Sequence, residues 1–136
     1  MLDTPLNFII YSREHQRILS KLMYYLTALY YDSNIFFEPL SNVMLDESCT
    51  SPVPDIILFS EDEYMNKVII EITTPTTFKK DFQKVENLVD EYDVKEGFVY
   101  DYKKFRWRKY KNGVGEVIEN PSFCDTIGYD LNDFVK

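Results

Sequence analysis

Two apolar segments rich in β-branched residues constrain the fold of this chain more than any other feature. The sequence DIILF covers residues 55–59, KVIIEIT covers residues 67–73, and a polar stretch centred on Glu63 separates them. Runs of this composition and length are typical of β-strands. We therefore predict an antiparallel hairpin from the alternation of apolar and polar positions. The predicted register pairs Asp55 with Glu71, Ile57 with Ile69, and Phe59 with Lys67.

This register sorts the side chains of the hairpin onto two faces. The first face is apolar and carries Ile56, Leu58, Val68, Ile70 and Ile72. The second face carries Asp55, Glu71 and Thr73 at the open end of the hairpin. Carboxylates directly opposite each other repel, so one takes up a proton with a raised pKa or a cation binds between them. Mg²⁺ suits such a pair, because it prefers hard oxygen ligands. The alternative is that both carboxylates are solvated at a wet sheet edge and have no function.

The rest of the chain predicts two helices and several further strands. Apolar residues at helical spacing predict one helix from Ser12 to Tyr31 and a second from Phe78 to Tyr92. Shorter strands are predicted at 35–38, 43–45, 96–102, 104–110 and 114–119, a polar loop at 47–54, and a helical turn at 131–135. This order predicts an α/β fold of the mixed α+β kind, with two helices packed on a mixed sheet. The 136 residues are expected to form one domain, 1–136.

The composition disfavours several classes of protein. Two cysteines and one histidine argue against a four-cysteine zinc site and against a Ser-His-Asp or Cys-His enzyme. The single histidine, His15, is expected to be a polar surface residue at the start of the first helix. The longest unbroken apolar run has five residues, so we expect no membrane span. With no secretory signal recognised, a reducing cytoplasm is the expected location.

Charge is distributed unevenly along a chain whose net charge is −8. Residues 76–111 are the basic part, and six of the fifteen cations lie between Lys103 and Lys111. If 104–110 is a strand, Lys104, Arg106 and Arg108 share one face. This face is a candidate strip for contacts with nucleic-acid phosphates. The alternative is a solvated face whose charges prevent edge-to-edge pairing of strands.

An ordered series of motifs resembles a known group of nucleases. Pro54-Asp55, a hairpin and then Glu71-x-Thr73 resemble the PD-(D/E)xK motif of the restriction-endonuclease-like superfamily. A longer series resembles the small Uma-type endonuclease family, including its opening helix at REHQRILSKL. The matching positions are Pro54-Asp55, Glu71 to Thr77, Asp81 to Lys84, Tyr92, and Gly97 to Asp101.

The resemblance implies a restriction-endonuclease-like mixed sheet flanked by two main helices, and a nuclease that acts on DNA. It implies that Asp55 and Glu71 bind Mg²⁺ or Mn²⁺, with the backbone carbonyl of Ile72 as a further ligand. Thr73 stands where the superfamily usually has its motif lysine, and the resemblance implies Lys84 as the substitute. Helix geometry partly supports this, since Lys84 lies roughly 100° from the centre of the apolar face and has a long stem.

The resemblance also implies two further candidate acids and an oligomeric state. The superfamily often takes an extra acid from its first helix or an early strand, which makes Glu14 and Glu38 candidates. The alternative for Glu14 is a favourable interaction with the helix dipole. A homodimer is expected from the resemblance alone.

Two other functions remain open at this point. The first is a catalytically degenerate, nuclease-like module that binds or regulates, which the missing motif lysine and the net charge favour. The second is a protein-binding partner that mimics an acidic nucleic acid, which the acid-rich first 75 residues suggest.

Overall fold

The structure, a computed structural model, describes residues 12–43, 45 and 53–136. The predicted loop at 47–54 lies largely outside these residues. The predicted strand at 43–45 is wrong where the structure describes it, because neither Val43 nor Leu45 belongs to a strand. The helices and strands follow in this order along the chain: α1 (Arg13–Tyr31), β1 (Glu38–Ser41), β2 (Ile56–Ser60), β3 (Met65–Thr73), α2 (Phe78–Glu91), β4 (Glu96–Asp101), β5 (Arg106–Lys111), β6 (Gly115–Val117), β7 (Phe123–Cys124) and β8 (Tyr129–Asp130), followed by a 3₁₀ turn (Leu131–Phe134).

Six strands form one mixed sheet in the order β1-β2-β3-β4-β5-β6. Strands β3 and β4 are parallel, whereas the other neighbouring pairs in this sheet are antiparallel. Helix α2 connects the two parallel strands, as expected for strands that need a crossover connection. Strands β7 and β8 form a separate two-stranded unit. The predicted mixed sheet with two main helices is confirmed.

Each helix covers one face of the sheet. Helix α1 buries Leu19, Leu22 and Leu26 in one apolar core, and this core contains the five hairpin residues predicted for the apolar face. Helix α2 buries its own apolar stripe against Ile57 and Ile69 in a second core. The predicted division of the hairpin into two faces is therefore confirmed.

The hairpin register is right at one end and wrong at the other. Ile57 pairs with Ile69 as predicted, but Phe59 lies opposite Asn66 instead of Lys67. A bulge between Leu58 and Phe59 inserts the extra residue. Sequence alternation cannot locate such a bulge, because it changes the register without changing the composition.

The short strands were predicted less accurately than the long ones. Strand β1 begins at Glu38 and includes Pro39, which an edge strand tolerates. Ile35 instead packs in the core against α1. Strand β5 begins at Arg106 because residues 102–105 form a turn. The two-residue strands β7 and β8 are too short to show a period in the sequence.

Helix α2 packs closely on β4 at a glycine. A Cβ added to Gly97 would overlap side-chain atoms of Val85 and would lie 2.9 Å from Cγ2 of Val89. Any larger residue would push the helix away from the sheet. This contact therefore fixes the position of α2 and of the lysine that it carries toward β3.

No helix in the described part of the chain is both long enough and apolar enough to cross a bilayer.

Candidate active site

A cleft of about 410 Å³ lies where β3 and β4 end, between the starts of α1 and α2. Parallel strands bring their carboxyl ends to one edge of the sheet, so polar residues that end these strands meet there. The cleft is lined by Ser12, His15, Asp55, Glu71, Ile72, Thr73, Thr74, Thr77, Asp81, Lys84 and Tyr102. The predicted residues Asp55, Glu71, Ile72, Thr73 and Lys84 are all among them.

Asp55 and Glu71 hold each other through paired hydrogen bonds between side chains and backbone. The Asp55 backbone N–H donates to Oε1 of Glu71 at 2.7 Å, and the Ile72 N–H donates to Oδ2 of Asp55 at 2.7 Å. Both carboxylates are buried. These bonds hold the two side chains against each other at the open end of the hairpin.

The surroundings of Glu71 shift its pKa. Burial raises the pKa of Glu71 from 4.5 to about 8, and the negative charge of Asp55 contributes further to this rise. The ammonium of Lys84 and the backbone N–H of Asp55 oppose the rise without cancelling it. A proton therefore occupies Glu71 over much of the neutral range, which is one of the two outcomes predicted for opposed carboxylates.

Lys84 lies beside Glu71 in the cleft. Its Nζ is 2.9 Å from Oε2 of Glu71 and 3.1 Å from the carbonyl oxygen of Val53. Its side chain is 28% exposed, so the ammonium is in contact with both the carboxylate and the open cleft. The Lys84 ammonium therefore projects toward Asp55 and Glu71 and not toward bulk solvent on the far side of α2.

Thr73 ends β3 and connects it to α2. Its hydroxyl donates to Oδ2 of Asp81 at 2.6 Å, and the hydroxyl of Thr77 donates to the same oxygen at 2.9 Å. Asp81 thus accepts hydrogen bonds from two threonines. These bonds fix the start of α2 to the end of β3.

His15 was wrongly expected on the surface. Its side chain is buried, and Nε2 lies 3.3 Å from Oδ2 of Asp55. The sequence did contain the signal, because position 15 precedes Leu19, Leu22 and Leu26 by four, seven and eleven residues and so shares the inward face of α1. Ser12 caps this helix by accepting the His15 backbone N–H, and its hydroxyl lies 3.0 Å from that of Tyr102.

The structure does not bring the two additional acids to the cleft. Glu14 is exposed in the first turn of α1, where it interacts favourably with the helix dipole. Glu38 pairs with Phe59, at the end of β2 remote from Asp55. Both therefore lie apart from the Asp55–Glu71 pair.

The predicted basic strip is partly neutralised within the protein. Arg106 forms an ion pair with buried Asp101, and Arg108 forms a two-bonded pair with Glu116. Both guanidinium groups also lie over phenyl rings of α2. Lys104 is exposed in the turn before β5.

The donor chemistry of the cleft fits a hard divalent cation. The carboxylates of Asp55 and Glu71 supply the oxygen ligands that Mg²⁺ prefers, and one or two carboxylates with waters are a common ligand set. Across residues 12–43, 45 and 53–136, no three His, Cys, Asp or Glu side chains converge on one point. A cation would thus rely on Asp55, Glu71 and backbone or water oxygens.

Comparison with solved structures identifies the fold. A protein from Anabaena variabilis, described as a candidate nuclease of DUF820, has a TM-score of 0.68 and 15% identity, over 93% of this chain and 83% of that one. The type IIG restriction endonuclease BpuSI has a TM-score of 0.59 and 11% identity, over 98% of this chain but only 17% of that one. The fold is therefore restriction-endonuclease-like. No protein-family model and no curated protein matches the sequence.

Proposed function

We propose that this chain is a divalent-cation-dependent nuclease that hydrolyses phosphodiester bonds in DNA. The observation that carries the proposal is the convergence of Asp55, Glu71 and Lys84 in one cleft at the ends of two parallel strands. The two structural neighbours, one described as a candidate nuclease and the other as a restriction endonuclease, support it.

Asp55 and Glu71 would bind Mg²⁺ or Mn²⁺ together with the backbone carbonyl of Ile72. When bound, such an ion lowers the pKa of water and stabilises negative charge on a phosphate group. Binding requires both carboxylates to be ionised, so the proton on Glu71 must leave. The Ile72 N–H and the Asp55 N–H hold the two carboxylates in place beside each other.

Lys84 would stabilise charge in the transition state. Its ammonium already borders the open cleft, so it can contact a phosphate oxygen without leaving the neighbourhood of Glu71. A fixed positive charge in a site partly shielded from water stabilises developing negative charge strongly. Thr73 cannot perform this role, because its hydroxyl is neutral and bonded to Asp81.

We further propose that the chain belongs to the Uma-type branch of the fold. The ordered series supports this, because Pro54-Asp55 precedes β2, residues 71–77 connect β3 to α2, and Asp81 and Lys84 lie on α2. A reducing cytoplasmic location, which the free and buried thiol of Cys124 suits, is part of this proposal. Homodimerisation stays a prediction.

The test combines metal titration with a cleavage assay. Wild-type protein, Asp55→Asn and Glu71→Gln are titrated calorimetrically with Mn²⁺ and assayed on plasmid and single-stranded DNA. Each substitution removes one anionic ligand at nearly constant volume, so we expect at least tenfold weaker binding and no cleavage. Glu91→Gln, which changes an exposed acid on α2, is the matched control and should behave as wild type. Wild-type protein that binds no divalent ion at millimolar concentration would contradict the proposal.

A second candidate function is a nuclease-like module that binds DNA without cleaving it. Both oxygens of Glu71 already have partners, with Oε1 accepting from Asp55 and Oε2 from Lys84, and the motif lysine is absent. This alternative predicts DNA binding that no divalent cation converts into cleavage, whereas the nuclease predicts turnover in Mg²⁺ or Mn²⁺.

A further inference from the structure

The turn between β4 and β5 forms one edge of the cleft. It comprises residues 102–105, and its first residue, Tyr102, lines the cleft. The carboxylate of Asp101 accepts the backbone N–H groups of Lys103 and Lys104 at 3.0 and 3.3 Å. These bonds fix the shape of the turn, whose last residue, Phe105, follows the cleft-lining Tyr102 by three positions.

That last residue, Phe105, has an exposed side chain and a backbone conformation that do not favour phenylalanine in a folded protein. Its side chain is 78% exposed and it belongs to neither apolar core. Its φ is 54°, in the left-handed region that favours Gly and Asn and is strained for a bulky residue. Exposure and backbone conformation both disfavour phenylalanine, so folding does not explain this residue.

A second turn of the same kind provides a contrast. Tyr64 ends the turn between β2 and β3, also has a φ of 54°, and is 73% exposed. Its ring packs edge-on against Phe59, with 5.2 Å between ring centroids. This turn lies at the opposite end of the sheet and contains three acids in a row, residues 61–63. Tyr64 therefore has a packing partner in an acidic turn, whereas Phe105 lies in a basic turn.

Within the described part of the chain, exposed lysines without an ion-pair partner lie in this turn and in the first turn of α2. Four exposed lysines belong to this group: Lys79, Lys80, Lys103 and Lys104. None of them forms an ion pair with any residue in the described ranges, whereas Arg106 and Arg108 are neutralised by Asp101 and Glu116. Lys103 and Lys104 directly precede Phe105 in the turn, and Lys79 and Lys80 line the same surface pocket as Lys84. A protein of net charge −8 thus presents local positive charge beside the cleft.

We propose that Phe105 stacks on an unpaired base while these lysines contact the adjoining phosphates. Exposed aromatic rings next to basic side chains are the usual means of binding single strands, whose bases are free to stack on a protein. Bases in a duplex are already stacked on one another and are not available to Phe105. The inference rests on the proposed function and names its substrate class, single-stranded nucleic acid, which includes DNA and RNA.

Binding is measured without divalent cations, so that cleavage cannot occur. Fluorescence anisotropy of the full chain compares a DNA strand of about 12 nucleotides, the same strand as RNA, and the matching DNA duplex. We expect the single strands to bind at least tenfold more tightly than the duplex. Comparing the affinities for the DNA strand and the RNA strand shows whether the protein prefers deoxyribose or ribose.

Substitutions at the two matched turns test the role of Phe105. Phe105→Asn retains a residue that accepts the left-handed backbone and should reduce single-strand affinity by about 5- to 100-fold, the usual effect of losing one base stack. Its melting temperature should stay the same or rise. Phe105→Trp should preserve affinity, and Tyr64→Asn should leave affinity unchanged. On a strand of abasic sites, Phe105→Asn and wild type should bind equally.

The lysines are tested through salt dependence. Removing two phosphate contacts from a single strand reduces the slope of log affinity against log salt by about 1.4. We expect this change for the double variant Lys103→Ala/Lys104→Ala. Lys95→Ala is the control, because Lys95 is exposed at the other end of β4.

The outcomes separate this inference from the proposed nuclease activity. Equal single-strand affinity of wild type and Phe105→Asn, a preference for duplex, or no binding at low salt would overturn the inference. The same strands are then incubated with Mn²⁺ to measure cleavage. Binding that depends on Phe105 without cleavage would refute the nuclease and keep the inference. Cleavage by the wild type, together with equal single-strand affinity of wild type and Phe105→Asn, would support the nuclease and refute the inference.

Discussion

Lys84 on α2 and Glu71 on β3 are in direct contact, with a distance of 2.9 Å between Nζ and Oε2. The pair joins the helix to the central strand at the cleft. Glu71 is almost fully buried, whereas Lys84 borders the cleft, so the two groups are expected to have different roles. Glu71 would bind the cation, and Lys84 would act on the phosphate.

Lys84→Met should separate these roles. Methionine retains most of the length of the side chain but removes the charge, so we expect metal binding to persist and cleavage to fall by about 10²-fold or more. Calorimetry with Mn²⁺ and a cleavage assay above pH 8, where Glu71 is largely ionised, measure the two effects. Lys95→Met is the matched control and should cleave normally. Equal cleavage by wild type and Lys84→Met would exclude Lys84 as the substitute lysine.

Glu71 should make the stability of the protein depend on pH in an unusual direction. Its pKa is about 8 in the folded state and 4.5 as a free side chain, so folding favours the protonated form. The stabilisation is fully present below about pH 4.5 and is lost as pH rises through 8. Urea unfolding of wild type should show a decrease between pH 5 and 8.5 that Glu71→Gln lacks. If the free energy of unfolding changed with pH in the same way for wild type and Glu71→Gln, this prediction would be wrong.

Divalent cations should release a proton from the same residue. Glu71 must ionise to bind a cation, so affinity for Mn²⁺ should increase with pH up to about 8. Calorimetry at pH 6.5 in two buffers of different ionisation enthalpy should report close to one proton released per ion. Release of no proton would show that the ion binds away from Glu71.

The long periodic elements of this fold could be predicted from sequence, because their burial repeats at a fixed spacing. Both helices and the two faces of the β2–β3 hairpin follow from such repeats. The bulge at Leu58–Phe59 could not be predicted, since it depends on how one strand bends against its neighbour. The strands β7 and β8 have too few residues to carry any repeat.

The candidate site was predictable to different degrees. Asp55 and Glu71 follow from the hairpin register, whereas the position of Lys84 depends on how α2 packs at Gly97, which only the structure shows. The burial of His15 was not predicted, because a histidine near the start of a helix is usually exposed. Its spacing from Leu19 indicates the inward face of α1. Arg106 and Arg108 were predicted to contact phosphates. Their ion-pair partners, Asp101 and Glu116, become neighbours only when the strands pair, and the sequence pattern does not show that pairing.

His15 should be energetically coupled to Asp55. Its Nε2 lies 3.3 Å from Oδ2 of Asp55, and both residues are buried. Residues in direct contact usually show coupling energies of about 0.5–3 kcal/mol in a double-mutant cycle. Urea unfolding of wild type, His15→Leu, Asp55→Asn and the double variant measures this coupling. Additive effects of the two substitutions would show that the contact does not stabilise the protein.

Gly97→Ala tests whether the packing of α2 sets the geometry of the site. The added methyl group would overlap Val85 and crowd Val89, so we expect a destabilisation of about 1–3 kcal/mol as the helix moves from the sheet. Since α2 carries Lys84, cleavage should fall in the folded protein at temperatures well below melting.

Val85→Ala in the same chain provides the control for Gly97→Ala. It removes the atoms that the new methyl group meets, so the double variant should be less destabilised than the sum of the two single variants. It should also recover part of the cleavage activity, because the helix can return toward β4. The double variant could instead be destabilised by the sum of the two single effects and recover no activity. This result would mean that the packing of α2 at Gly97 does not set the position of Lys84.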